Sequence, residues 1–211
     1  MGDSDLSGEL NEVDLTSKKL IPRAKMLTPK RDHSLAIYNG EIYSIGGFDS
    51  HPMVDCAKYI VATDTWTKLP NLNIARSCCA SFVFDTEIYA LAGYSLDYTN
   101  SMEKMSLSSP LKWEMVAFKD PFKERSMLHA MQISSSEVLV FGGCCVEGKA
   151  LNEVFTLCFT ESNIVFEKAE NLPSACLFCN TSAPVCDGYR MYAMDSMGGL
   201  NGYSLKCKGW I

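Results

Sequence analysis

Three stretches of this chain repeat one pattern. They are Glu41-Ile42-Tyr43-Ser44-Ile45-Gly46-Gly47, Glu87-Ile88-Tyr89-Ala90-Leu91-Ala92-Gly93 and Glu137-Val138-Leu139-Val140-Phe141-Gly142-Gly143. Their leading glutamates stand 46 and 50 residues apart. A fainter fourth copy, Met191-Tyr192-Ala193-Met194-Asp195-Ser196, loses the glycine pair. A period near 50 residues describes a chain built of small units, each unable to bury its apolar face alone, so that neighbours must stack.

Each copy follows an apolar run: Ser34–Tyr38, Ala80–Phe84 and Ala130–Ile133. Asn39-Gly40 joins the first pair of runs, and an Asn-Gly step between apolar runs is a strong hairpin signal because both turn residues need positive φ. Asp85-Thr86, Ser134-Ser135-Ser136 and Asp187-Gly188 fill the same slot in the other copies. Downstream, one aromatic recurs at constant phase: Trp66, Trp113, Phe166 and Trp210. Leu69-Pro70 and Leu172-Pro173 then close the first and third units. Each unit thus reads as four short strands, and no long window shows helical periodicity. Even turn spacing predicts an all-β sandwich, barrel or propeller, and the ~50-residue period selects the propeller. Glycine suits the narrow part of a blade, where backbones approach and a Cβ would intrude. The large aromatic suits the wider space between sheets.

The pattern resembles the kelch repeat, most closely in the first unit: Arg31, His33, Gly46-Gly47, Tyr59 and Trp66. The resemblance runs over residues 23–211 and implies a kelch-type β-propeller of about four blades. The sequence departs from the family pattern at Ala92 and at Asp195-Ser196. Family propellers have five to seven blades and close by pairing N- and C-terminal strands. Here the last unit ends at Gly209-Trp210-Ile211, and Thr16–Pro22 resembles Thr65–Pro70 without its Trp. Residues 1–25 are therefore expected to form an N-terminal segment pairing as an outer blade strand, with residues 26–211 as the propeller domain. Two readings stand: a small ring closed by that strand, or part of a larger propeller, with self-association as one route to completion.

Composition narrows the function classes. Hydrophobic residues make up 47% and charged residues 21%, which excludes a disordered tail. No apolar run approaches the ~20 residues of a membrane helix. A formal net charge of -6 argues against nucleic acid as main partner. The N-terminus MGDSDLSGEL lacks the basic start and apolar core of a secretory signal, and Leu6 stands where a myristoylation signal needs Ser or Thr. The expectation is a cytoplasmic chain whose ten cysteines are reduced and mostly buried, and in which the Asn180-Thr181-Ser182 sequon is silent.

Arg31, Arg76 and Arg125 each precede an innermost strand, and in the resembled family that place lies near the channel mouth, where partner peptides dock. Three guanidiniums on one rim would grip carboxylates of an acidic segment. The competing reading has each Arg bonded to loop carbonyls or to neighbours such as Asp32 or Glu124. His33 and His129 read as sharing a phase near the channel. Phe48, His51, Tyr94 and Tyr98 are aromatic loop residues of the type that anchors interfaces. Cys176, Cys179, Cys186 and Cys207 could in principle bind zinc, but their spacing fits no zinc motif, and no metal site is expected. The two histidines and a Tyr resemble copper sites of oxidases built on kelch-like propellers, but His51 lies in a loop. No catalytic or phosphate-binding motif occurs. The function expected is a non-enzymatic protein-binding module without cofactor: a scaffold, adaptor or cytoskeletal component that recognises another protein. The alternatives are the substrate-recognition part of a ubiquitin ligase, since residues 1–25 are too short for the helical region such proteins carry, and a metal-dependent enzyme at the channel mouth.

Overall fold

A computed structural model describes residues 6–118, 122–160, 163–178, 184–195 and 197–211. Cys179, the sequon at Asn180-Thr181-Ser182 and Ser196 lie outside these. Asn39 and Gly40 both take positive φ, 50° and 76°, and the tight turn pairs Ser34–Tyr38 with Glu41–Ile45. The same hairpin recurs in every unit, and two further antiparallel strands follow each time.

The result is four four-stranded sheets arranged as propeller blades. Blade one runs Ser34–Tyr38, Glu41–Ile45, Cys56–Ile60 and Thr65–Lys68. Blade two runs Ala80–Phe84, Glu87–Leu91, Met102–Ser106 and Glu114–Val116. Blade three runs His129–Gln132, Glu137–Phe141, Val154–Phe159 and Ile164–Lys168. Blade four runs Val185–Cys186, Arg190–Met194, Leu200–Ser204 and Gly209–Trp210. Each sheet keeps this order from inner to outer strand.

Three apolar layers fill the spaces between consecutive blades. Ala36, Tyr43 and Ile45 of blade one meet Ile88, Met105 and Trp113 of blade two. Phe82, Tyr89 and Leu91 meet Val138, Leu157 and Phe166 of blade three. Leu139, Phe141 and Val154 meet Met191 and Tyr203 of blade four. The aromatic recurrence is confirmed by register: Tyr59 pairs Trp66, Leu157 pairs Phe166, and Tyr203 pairs Trp210. Trp113 is buried, and Trp66 is less completely covered, in the intermediate range, where the sequence leads one to expect both to be mostly buried between blades. The reason is position, because no complete blade precedes blade one to cover it.

Residues Leu10–Asp14 and Lys19–Arg23 pair with each other as a separate hairpin. They do not supply an outer strand to blade four, whose own outer strand is Gly209–Trp210. Of the two readings that the sequence leaves open, the pairing of this strand into the last blade is not formed among the described residues. The hairpin is held to blade one instead: Asp64 accepts a bond from the Ala24 N–H (2.7 Å), and the Trp66 indole N–H donates to the Ala24 carbonyl (2.9 Å).

Candidate functional site

The backbone repeats two connections around the propeller axis. The second glycine position of each unit donates to the next blade: Gly47 to the Arg76 carbonyl (2.7 Å), Gly93 to Arg125 (2.8 Å) and Gly143 to Cys176 (3.0 Å). A Cβ on Gly143 would stand 2.7 Å from the Ser126 carbonyl, and one on Gly46 would run into the Arg76 carbonyl, so the approach requires glycine. Closer to the axis, Cys78 N–H donates to Asp32, Met127 to Cys78, and Phe178 to Met127. Asp32, Cys78 and Met127 all adopt φ near +50°, at 54°, 51° and 55°.

These shared positions fix the true register of the units, and it differs by one residue from a register drawn through the arginines. Lys30, Arg76, Arg125 and Cys176 are equivalent, and Arg31 corresponds to Ser77 and Ser126. The first set points into the blades. Arg76 is fully buried, as is its partner Glu103 (2.9 Å). Its remaining N–H groups reach the Ala92 and Ser101 carbonyls and the Ser101 hydroxyl. Glu103 also accepts the Asn73 and Ile74 backbone N–H groups. Arg125 is buried against Glu153 (2.8 Å) with its guanidinium 4.4 Å from the Phe122 ring centre, and burial lowers its pKa. Lys30 is buried against Asp55 at 3.3 Å. The expected rim of three free guanidiniums is therefore corrected: Arg76 and Arg125 are internal clamps, each tying the lead-in of its blade to the loop between the second and third strands. Their carboxylate partners lie inside the same blade and are Glu103 and Glu153, not the sequence neighbours Asp32 and Glu124.

Only Arg31 of the three reaches the mouth, with its side chain 58% exposed. Its guanidinium lies 4.8 Å from the Phe48 ring centre and 3.7 Å from Asp32. Backbone bridges pair Arg31 with Phe48, Ser77 with Tyr94, and Ser126 with Cys144. The loops after the glycine pairs thus rise beside the lead-ins, and three blades converge on one cleft of about 240 Å³. Arg31, Phe48, Tyr94 and Tyr98 line it together with Ser77 and Ser126. Tyr94 and Tyr98 meet edge to face at 5.8 Å, and the Tyr98 hydroxyl lies 3.9 Å from the Cys144 sulfur. Ser77 and Ser126 were missed by sequence reasoning, whereas Cys144 opens the third of the loops after the glycine pairs, all of which are candidates from sequence. The only signal of the two serines is their register with Arg31, which residue type conceals.

The histidines do not join this cleft. His33 and His129 are one residue out of phase, because Ser34 pairs Ile45 as His129 pairs Phe141. A one-residue step reverses the face of a strand. His33 therefore faces the groove beneath the N-terminal hairpin, where burial and the Lys30 charge push its pKa down to about 4. His129 packs against Phe178, 5.0 Å between ring centres. His51 sits in the exposed Phe48–Pro52 hairpin and meets the Ser50 hydroxyl. Among the described residues no three His, Cys, Asp or Glu side chains stand close enough to share a metal ion. Cys176 is buried beside Asp195, while Cys186 and Cys207 are exposed. No helix among the described residues is long and apolar enough to cross a membrane.

Blades, glycine bridges and repeated aromatics define a propeller of the kelch type. The Kelch motif family profile matches residues 29–73. Kelch repeat protein C2 of vaccinia virus (strain Western Reserve) is 31% identical over 90 residues, covering 42% of this chain and 18% of that protein. Kelch-like protein 25 of Xenopus laevis is 23% identical over 164 residues, covering 72% of this chain and 27% of its own length. The chain carries a Kelch motif and is similar to kelch-repeat proteins, and it spans under a third of the length of these relatives. The solved structure of YjhT superposes with a TM-score of 0.72 at 16% identity, covering 92% of this chain and 67% of that one, which shows the shared fold.

Proposed function

We propose that this chain is a non-enzymatic protein-binding module whose channel-mouth cleft takes a segment of another protein. The observation that carries the reading is the convergence of Arg31, Phe48, Tyr94 and Tyr98, from two different blades, on one open cleft. Aromatic rings and a guanidinium are the side chains that dominate interface energies, and loops on a rigid scaffold are where binding concentrates. One exposed cation favours a partner segment with a single acidic residue placed over Arg31, flanked by apolar groups against the tyrosines. Free thiols at Cys186 and Cys207 suit a reducing compartment.

The test compares affinity capture by the native chain with capture by an Arg31→Ala/Tyr94→Ala variant whose folding is verified by circular dichroism. A Lys68→Ala variant, altered on the exposed outer strand of blade one, serves as control. Partners retained by the native chain and the control should be lost from the double variant. Equal recovery from all three would place the binding face elsewhere.

A further inference from the structure

Blades two and three meet at a second cleft, at the end of the propeller opposite the mouth. The lead-ins and the loops after the glycine pairs lie at the mouth, so the turns that join first to second strands, and third to fourth, lie at the other end. Asp85-Thr86 is the first such turn of blade two, and Thr160 and Asn163 belong to the second such turn of blade three. Between them opens a cleft of about 520 Å³, with Phe84, Asp85, Glu87, Lys104, Phe159 and Ile164 among its lining. Both sheets carry all four strands, so a full blade bounds the cleft on each side.

The floor is aromatic. Phe84 and Phe159 stack at 3.7 Å with their planes 12° apart, and Tyr89 meets Phe159 edge to face at 5.5 Å. Phe84 and Phe159 both remain partly exposed. The matching place at the seam of blades one and two is built differently. The Phe159 N–H bonds the Ser136 carbonyl as the Leu107 N–H bonds that of Thr86, and Phe84 pairs Glu87 as Tyr38 pairs Glu41. The first seam therefore holds Tyr38 and Leu107 where the second holds the two stacked rings.

Charge separates the two seams again. Glu87 accepts from the Tyr89 hydroxyl (2.8 Å) and pairs with Lys104 (2.9 Å), as Glu41 accepts from Tyr43 (3.2 Å) and pairs with Lys58 (2.9 Å). Each of these triads neutralises its own charge. Asp85 stands outside its triad: it is exposed, and its carboxylate makes no hydrogen bond or ion pair among the described residues. Its counterpart in blade one is the uncharged Asn39, and the two share the turn conformation, with φ of 55° and 50°. The second seam thus joins an open aromatic stack to one uncompensated carboxylate.

We infer that this cleft is a docking site for an arginine side chain on an exposed segment of a partner protein. The guanidinium lies on the open part of the Phe84–Phe159 stack and donates to the Asp85 carboxylate at its rim. Arginine suits both contacts: its plane stacks on rings, its fork matches a carboxylate, and it gives up hydration more readily than an ammonium. Lys104 is held by Glu87, so the incoming cation meets the charge of Asp85, on a chain whose net charge is -6. The inference is independent of the channel-mouth cleft.

The test follows the amide resonances of the full ¹⁵N-labelled chain during titration with capped Gly-Arg-Gly, Gly-Lys-Gly and Gly-Glu-Gly peptides. The arginine peptide should give saturable shifts centred on Thr86, Glu87 and Thr160. The lysine peptide should bind about threefold more weakly, and the glutamate peptide should leave these amides unmoved. Asp85→Asn and Phe159→Leu copy the residues found at the first seam, which keeps the fold, and each should weaken arginine binding about fivefold or more. Asp49→Asn removes an exposed carboxylate from the other end of the molecule, changes the net charge by the same amount as Asp85→Asn, and should leave the affinity unchanged. Shifts that do not saturate, that persist equally in Asp85→Asn and Phe159→Leu, or that Asp49→Asn weakens as much as Asp85→Asn, would reduce the effect to general attraction to an acidic protein and overturn the inference.

Discussion

Lys30, Arg76 and Arg125 stand one residue before Arg31, Ser77 and Ser126, and the two sets occupy different environments. The first lies within the blades, against Asp55, Glu103 and Glu153. The second opens onto the mouth, beside the aromatic loops. Successive residues of an extended chain point to opposite sides, so a single step along the lead-in separates the blade interior from the cleft, although only Arg31 of the second set is exposed and Ser77 and Ser126 are buried. Charge type does not decide the environment: Arg31 and Arg76 are chemically the same side chain, and only the register buries one and exposes the other.

The contrast is breakable at several strengths. Arg76→Ala leaves Glu103 buried without its cation, and should lower stability by about 3–5 kcal/mol in urea denaturation. A loss under ~1 kcal/mol on that scale would mean water reaches the pair. Trp113→Ala should cost a similar ~3–5 kcal/mol for a buried aromatic, while Trp66→Ala, at a less completely covered ring under the N-terminal hairpin, should cost about half as much. Equal losses would show that the N-terminal hairpin seals blade one as fully as a complete blade does. His33 sharpens the same distinction through pH. Its folded pKa lies near 4, below the ordinary 6.5, so the unfolded chain takes up the proton first. Stability is full above about pH 6.5 and falls as pH drops toward about 4, by on the order of 2–3 kcal/mol. A His33→Asn variant should lack that component, and a pH curve identical to the native one would place the imidazole in solvent. The smallest effect belongs to Arg31→Ala, which should change stability by less than ~0.5 kcal/mol, as exposed ion pairs do.

The fold was readable because its signals survive degeneracy. Glycine at positive φ, a large aromatic between sheets and an Asn-Gly turn are each demanded by geometry, and their period identified the propeller. The site was only partly readable. Phe48, Tyr94 and Tyr98 announce themselves as loop aromatics beside the glycine pairs. The arginine alignment followed residue identity, whereas the real equivalence runs through Lys30 and Cys176, which look unlike Arg76 and Arg125. The same one-residue error brought His33 and His129 together on paper and onto different faces in the fold. Thr16–Pro22 signals a strand, which pairs in a separate hairpin at Lys19–Arg23, and its attachment to blade one is set by long-range bonds such as Trp66 to Ala24, which no local pattern encodes.

The backbone steps from Asp32 to Cys78, Met127 and Phe178 link each blade only to its neighbour. Such a molecule behaves as a one-dimensional array in which cohesion is a sum of adjacent couplings rather than a property of the whole. The cation that anchors three of the lead-ins is replaced in blade four by the Cys176 thiol, whose bonds to Asp195 and Asn201 are long, at 3.6 and 4.0 Å. The step from blade three to blade four is therefore anchored by a neutral thiol where the other lead-ins carry a charge pair.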